Sequence, residues 1–383
     1  MTGENETRFV HTPGAADPQY HALVPPIYKA TTYHQHDPWQ PGRYDYARSG
    51  NPTRQALEEA VAHLEGGVRG FAFGSGMATL TATFLLFEAG DHLLVTRDCQ
   101  GGTQRLLRGV LQRFGLSVTY VDTHDLDQVD QNLQPNTKAI LVENFSNPFL
   151  WVSDIALIAE WARSHQLLTL VDNTFLTPYL QQPLTLGADV VIHSATKMIS
   201  GHSDVTAGVA AVRDPDLGRR LYFIQNACGL ALSPDDSYLV FRGLKTLPVR
   251  MDRAQANAAT LAHALANWPE VAAVYYPGLP SHPGHDTARR TAAGFGTMLS
   301  FRLKHPQRVP EMVQRFHFTQ VGAGFGGTET IVSLPELHCH AALTPEERNE
   351  RLITPDVVRV SVGLENPADI IHEFEHAIRA IDD

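Results

Sequence analysis

The sequence predicts an α/β protein built on a mostly parallel sheet, with a smaller α/β domain at its C-terminal end. Three observations predict it. Short apolar runs alternate with helix-like runs between positions 71 and 193, the order expected of a parallel sheet with helices on both faces. Those runs are continuously apolar rather than alternating with polar residues, as in strands buried on both sides. After about position 245 the rhythm changes to one long helix-like segment, three strand-like runs and a closing helix. A chain of 383 residues, 43% hydrophobic and 19% charged, has material for two or three domains and a large core.

The elements follow in order. Residues 1–50 form an irregular N-terminal arm rich in Pro, Tyr and His, whose aromatic content favours packing on another surface over disorder. "NPTRQALEEAVAHLEGG" reads as a helix with Asn51 as N-cap, Pro52 in the first helical position and Gly66 at its end. "FAF", "HLLVT", "LSVTYV", "AILVEN", "LLTLVD" and "DVVIH" read as strands; "MATLTATFLLFE", "TQRLLRGVLQRF" and "DIALIAEWARSHQ" read as helices. Residues 51–245 thus form a large domain. "RGLKTLPVRMDRAQANAATLAHALANW" reads as one long helix leading into a second domain, 246–383. There "TMLSFRL", "TIVSLP" and "VVRVSVGL" read as strands, and a helix starts at "NPADIIHEFEHAIRAI".

The formal net charge of −11 leaves no basic stripe for a nucleic-acid partner. No apolar run is long enough to span a bilayer, and no N-terminal stretch pairs a basic flank with an apolar run. Cys99, Cys228 and Cys339 are odd in number and far apart, the usage of a reducing compartment. The expectation is a soluble cytoplasmic protein with no nucleic-acid or membrane partner.

In a parallel sheet, ligands bind beyond the carboxyl ends of the strands. That rule selects 74–77, 97–102, 143–148, 172–174 and 194–197. Lys197 follows "DVVIH" among Ser194, Thr196 and Ser200; desolvated there, its amine becomes a nucleophile toward carbonyls. Asp172 ends "LLTLVD", placed to pair with a protonated heteroaromatic nitrogen. "FGSGMATL" is a tight glycine turn opening a helix, whose free N–H groups and dipole suit a phosphate. Ser194 and Thr196 add hydroxyls, and Arg48 adds a charge. An amine for an aldehyde, a carboxylate for a ring nitrogen and a cradle for a phosphate together describe pyridoxal 5′-phosphate (PLP). Neither GxGxxG nor GxxxxGK[ST] follows a strand, which excludes a nucleotide-binding Rossmann protein.

"DVVIHSATKMISGHSDVTAG" resembles the lysine signature of the Cys/Met-metabolism PLP enzymes, the family of cystathionine γ-synthase, cystathionine γ-lyase, cystathionine β-lyase and methionine γ-lyase. "VPPIY", "YDYARSGNPTR", "FGSGMAT", "GGT", "NFSNP", "VDNTF", "LSPDDSYLVFRGLKTLPVRM" and "VVRVSVGLE" recur in the same order, so the resemblance covers nearly the whole chain. It implies PLP-dependent transferase fold type I, aspartate aminotransferase-like, with 51–245 as the PLP-binding domain. It implies that Lys197 bonds to the cofactor and shuttles protons, and that Asp172 keeps the ring nitrogen protonated. Gly76, Met77, Ser194 and Thr196 are implied to hold the phosphate. Tyr46 and Arg48 are implied to reach the phosphate of a neighbouring subunit, making the protein at least a homodimer, with a homotetramer as the family's form. Arg359 is implied as a two-pronged clamp on the substrate carboxylate, and Asn147 as a neighbour of that carboxylate and of the cofactor's phenolic oxygen.

Three stretches depart from the family pattern. The family carries a Tyr before "GGT", stacked on the ring and used in acid–base steps; here Gln100 stands in that catalytic place, with no titrating group and no aromatic face. A positioned acid or base contributes roughly 10²–10⁴-fold, and Tyr46 and Lys197 are the candidates to supply it. "VGAGFGG" stands where γ-enzymes tend to read "ESLGG". Ala323 replaces the acidic residue that would meet the distal amino group of cystathionine, Gly324 replaces Ser, and Phe325 replaces Leu, closer to the β-lyase habit. Met198 follows the lysine where an aromatic is commoner, a packing change. The expected activity is that of a PLP-dependent carbon–sulfur lyase, acting by β- or γ-elimination on a sulfur amino acid such as cystathionine in transsulfuration. γ-Replacement, as in cystathionine γ-synthase or an O-acyl-homoserine sulfhydrylase, stays open, as does a catalytically altered binding protein. No metal is expected at "LHCH" (His338, Cys339, His340), since only alternate residues of a strand share a face, nor at "HEFEHAIRAI", which lacks the HExxH spacing.

Overall fold

A computed structural model describes residues 4–379 apart from positions 15 and 18. The apolar runs of the first half assemble into seven strands: β1 (Arg69–Phe73), β2 (His92–Thr96), β3 (Ser117–Val121), β4 (Thr137–Glu143), β5 (Leu168–Asp172), β6 (Val190–His193) and β7 (Gly208–Val212). Their order across the sheet is β1-β7-β6-β5-β4-β2-β3. β3, β2, β4, β5 and β6 run parallel, and β7 is antiparallel to both of its neighbours. Every residue of β2, β6 and β7 is buried, which is why such strands read as unbroken apolar runs. β7, "GVAAV", is absent from the strands read in the sequence. Its Gly and two Ala residues carry little strand preference, and the fold needs the glycine's small size: a Cβ at Gly208 would collide with Thr79 and the Ser75 carbonyl.

Four helices matter for the site. α1 (Asn5–Val10) lies in the arm, α2 (Pro52–Glu65) precedes β1, α3 (Gly76–Phe84) follows β1, and α4 (Gly101–Gly109) follows β2. α2 starts as its sequence predicts. The Asn51 side chain accepts from Thr53 N and Arg54 N at 3.0 and 3.2 Å, and Gly66 closes the helix with φ 71°.

The second sheet holds β8 (Val271–Tyr275), β9 (Met298–Leu303), β10 (Gln320–Val321), β11 (Ile331–Ser333) and β12 (Val357–Ser361), in the order β10-β11-β12-β9-β8. The single long helix expected before it is two helices, Pro234–Leu244 and Leu247–Ala266. Pro248 explains the break, because a proline without an N–H fits only the first turn of a helix. The second of these helices sends Leu247 and Met251 into the core beside the large sheet, and Ala258, Leu261 and Leu265 into the core of the small one. It thereby fixes one sheet against the other.

The arm divides in two. Phe9 of α1 is fully buried and meets Tyr179 edge-on at 5.7 Å, so this part packs on its own chain. Tyr20, Leu23 and Trp39 stand 78%, 84% and 89% exposed. Among the described residues, no helix is long and apolar enough to cross a membrane.

Candidate active site

The carboxyl ends of the central strands meet at a cavity of about 270 Å³. Lys197, Asp172, Ser194, Gly76, Met77, Gln100, Phe325 and Arg359 line it; Asn147, Thr196, Tyr46 and Arg48 do not.

One end of the cavity is organised by backbone. Ser75 caps α3 by accepting from Ala78 N at 3.0 Å. The N–H groups of Gly76 and Met77 then sit in the first turn, where no helical carbonyl can reach them. A Cβ at Gly76 would lie 2.8 Å from Ser194 Cβ, so only glycine lets the helix begin against that serine. Ser194 N donates to Thr174 Oγ1 at 2.9 Å. Thr174 in turn donates to Asp172 Oδ1 twice, from Oγ1 at 2.6 Å and from N at 3.0 Å. Asp172 Oδ2 is left for the cavity. Burial pushes the Asp172 pKa up, and the two Thr174 bonds oppose that rise. The Thr196 hydroxyl is spent on Ala207, donating to its carbonyl and accepting from its N–H, both at 3.0 Å.

Lys197 Nζ sits 4.5 Å from the centre of the Phe325 ring. Burial, and then the Arg359 charge, lower its pKa and favour the neutral amine. Phe325 is held by an edge-on contact with Phe175 at 5.1 Å, and Arg359 Cζ lies 5.0 Å from the same ring. The loop bearing Phe325 rests on the lysine's backbone: Gly326 has φ +83°, and a Cβ there would lie 2.6 Å from Met198 N. Met198 itself is buried in the core.

The other end is organised by side chains. Arg359, on β12, is 2% exposed. Its Nη1 donates to Asn147 Oδ1 at 3.1 Å, and Asn147 Nδ2 donates to Gln100 Oε1 at 3.2 Å. The direction of this relay is forced. An arginine only donates, so the Asn147 oxygen must face it, and the Asn147 amide N–H must then find an acceptor. Gln100 is therefore not idle: its Oε1 orients Asn147, and its backbone N donates to Glu143 Oε2 at 2.8 Å. Tyr46 is 42% exposed, and Arg48 donates from Nε to Asn226 Oδ1 at 3.1 Å, both away from this cavity.

Glu143, Thr174, Phe175, Arg105 and Cys339 also line the cavity, and sequence reasoning assigned them nothing. Glu143 and Thr174 fall inside the strand-end stretches the sequence selected. Cys339 does not, because 338–340 is a turn rather than the strand assumed for "LHCH". Cys339 Sγ lies 3.1 Å from His340 Nδ1, and burial and Arg359 drive the His340 pKa down to about 3. Among the described residues, no three His, Cys, Asp or Glu side chains converge as a metal site.

The residues fit PLP. The cavity offers an amine biased toward its neutral form, a buried carboxylate with one oxygen free, and a helix start opening beside a serine hydroxyl. The sequence matches the family described as Cys/Met metabolism PLP-dependent enzyme over residues 6–379. It is 48% identical over 376 residues to cystathionine beta-lyase MetC of Bacillus subtilis (strain 168), covering 98% of this chain and 96% of that protein. It is 43% identical over 378 residues to the cystathionine gamma-lyase of the same strain, covering 99% and 100%. Among solved structures, cystathionine gamma-lyase from Lactobacillus plantarum complexed with L-serine superposes with a TM-score of 0.96 at 40% identity, covering 99% of this chain and 100% of that one. Cystathionine gamma synthase from Xanthomonas oryzae pv. oryzae in complex with cystathionine gives 0.97 at 36% identity, with coverage of 100% and 99%. Sheet order, strand-end chemistry and these likenesses agree: the chain is an enzyme of the Cys/Met metabolism PLP-dependent family, and its cofactor is pyridoxal phosphate.

Proposed function

We propose that the chain is a carbon–sulfur lyase that cleaves cystathionine on its β side, giving homocysteine, pyruvate and ammonia. The observation that carries this reading is the wall at 323–325. Ala323 offers no carboxylate to the distal ammonium of a γ-bound substrate, and Phe325 closes the wall between Lys197 and Arg359. The 48% likeness to a protein named cystathionine beta-lyase supports it.

Bound PLP withdraws electrons from the substrate's α-carbon. The chain's own residues do the rest. Gly76 and Met77 N–H and Ser194 Oγ would hold the phosphate, and the Thr196 hydroxyl ties its own segment to the Ala207 backbone. Asp172 Oδ2, left unbonded by Thr174, would accept from the ring nitrogen. Arg359 takes the substrate α-carboxylate, with one arm already fixed by Asn147. Lys197 Nζ would anchor the cofactor, and as a free amine it would accept the α-proton, a task its lowered pKa suits. Gln100 cannot titrate, so Lys197 is the proton carrier of the cavity. Tyr46 and Arg48 serve a neighbouring subunit's phosphate in at least a homodimer, assembled further as a homotetramer; the exposed Tyr20, Leu23 and Trp39 of the same arm support an intersubunit role. Three unpaired cysteines fit a cytoplasmic setting.

The test is the keto acid released from cystathionine by the PLP-loaded protein. Pyruvate is expected. 2-Oxobutyrate would move the cleavage to the γ side, and cystathionine made from cysteine and an activated homoserine ester would make the enzyme a γ-replacement catalyst. Borohydride should bleach the yellow colour and leave the reduced cofactor bonded irreversibly to Lys197; the reduced cofactor found on another residue removes the assignment of the lysine.

A further inference from the structure

Glu143 has no part in the reaction as assigned above, yet it is a buried carboxyl of the cavity. It ends β4 in register with Asp172 at the end of β5. Neighbouring strands lie about 4.8 Å apart, and paired residues point to the same face. Both side chains line the cavity, at 5% and 7% exposure. Two carboxyls so placed, both out of water, do not both ionise near neutral pH; they titrate as a pair.

The hydrogen bonds decide which of the two keeps the charge. Asp172 Oδ1 receives both donors of Thr174. Glu143 receives one, the Gln100 N–H at Oε2. The surrounding charges point the same way. Asp98, on the loop after β2, adds negative potential at Glu143, and Cys99 beside it is a buried neutral thiol. Among the described residues, no arginine or lysine bonds the Glu143 side chain. His193, at the end of β6, is paired with buried Glu65 at 2.5 Å, and its charge favours ionised Asp172. Among the described residues, Lys197, Arg359 and Arg105 are the cavity's cations; Arg359 is bonded to Asn147, and Arg105 faces the cavity from α4.

We infer that Glu143 is a positioning residue of the cofactor site. It holds a proton, anchors the Gln100 backbone through Oε2, and leaves Asp172 as the only negative charge facing the ring nitrogen. Burial, and then the Asp172 charge, set the Glu143 pKa well above the usual carboxylate range, as this role requires. The pair thus carries one charge and one proton, and rising pH removes the proton from Glu143. This rests on the assignment of Asp172 to the ring nitrogen.

Infrared and visible spectra of the PLP-loaded enzyme test it. At neutral pH, wild type minus E143Q should show the carbonyl stretch of one neutral carboxylic acid; the subtraction removes any other neutral acid that the two proteins share. Alkaline titration should bleach that difference band and shift the visible absorption of bound PLP in wild type, with no matching shift in E143Q. E143Q should hold PLP within about threefold of wild type, because an amide keeps the acceptor and the absence of charge. An absent difference band, an identical alkaline shift in E143Q, or a tenfold or larger loss of PLP affinity in E143Q (about 1.4 kcal/mol) would overturn the inference. Should E143Q not fold, E143D replaces it. A shorter neutral acid moves the band, whereas an ionised Glu143 leaves the spectrum unchanged. D172N separates the two assignments: if it binds PLP as tightly as wild type, the ring-nitrogen partner is wrong, whatever E143Q shows.

Discussion

The two ends of the cavity are built differently. At the cofactor end, each group is set by where the backbone ends a regular element: Asp172 closes β5, Ser194 follows β6, and Gly76 opens α3. At the substrate end, Arg359 comes from the other sheet and is aimed by side-chain amides, through Asn147 to Gln100. A site fixed by strand ends tolerates little change in residue type and keeps its chemistry. A site fixed by a side-chain relay can be rewired by one substitution. Of the departures from the family pattern, Gln100, Ala323 and Phe325 fall in that second half, while Met198 is a core residue behind the lysine.

The largest expected effect breaks the cofactor end. K197A should lower cystathionine turnover by about 10³-fold or more, since it removes both the covalent anchor and a positioned base, and borohydride should no longer fix PLP to the chain. R359A breaks the substrate end. It removes a buried, charge-assisted fork, so kcat/KM should fall about 10²-fold, mostly through KM. The visible spectrum of bound PLP should stay that of wild type. If R359A instead changed that spectrum, the division between the ends would fail.

The same division explains what the sequence made legible. Strand ends follow from apolar runs, so position along the chain is enough to place Lys197, Asp172, Ser194 and Gly76 at one cavity. The Asn51 cap and Gly66 stop were equally local. The missed pieces are non-local. β7 and β8, both with paired alanines, are strands because neighbouring strands pair with them. The break before Pro248 depended on one residue inside a helical pattern. Gln100 read as a lost Tyr, because its amide's partner, Asn147, lies 47 residues away. Thr196 carried a hydroxyl in the right motif, but that hydroxyl turns to Ala207.

Gln100 sharpens the comparison at smaller scale. Q100A should raise KM for cystathionine about tenfold by freeing the Asn147 amide, the loss of about one hydrogen bond's orientation. Q100E keeps an acceptor at the same place and should recover most of that loss. Q100Y restores an acid–base group, and kcat should rise above wild type if proton transfer limits elimination. An unchanged KM in Q100A, measured beside R359A, would show that the relay does not aim the clamp.

The smallest effect is on stability, and it concerns Glu143 rather than the reaction. Burial raises its pKa in the folded chain above its unfolded value. Between those two values the folded protein holds a proton that the unfolded chain has released. Stability therefore falls as pH rises from the ordinary carboxylate range toward the raised value, with a slope of at most about 1.4 kcal/mol per pH unit for one group. Below the ordinary range both states are protonated and the slope vanishes. E143Q removes this one contribution. Its urea midpoint, compared with that of wild type from mildly acid to neutral pH in cofactor-free protein, should gain on wild type as pH rises. Asp172, also raised by burial but bonded twice by Thr174, should give a shallower gain in D172N. Equal slopes for the two variants would mean that the proton is shared evenly between the carboxyls, and the unequal hydrogen bonding of β4 and β5 would then not decide where the charge sits.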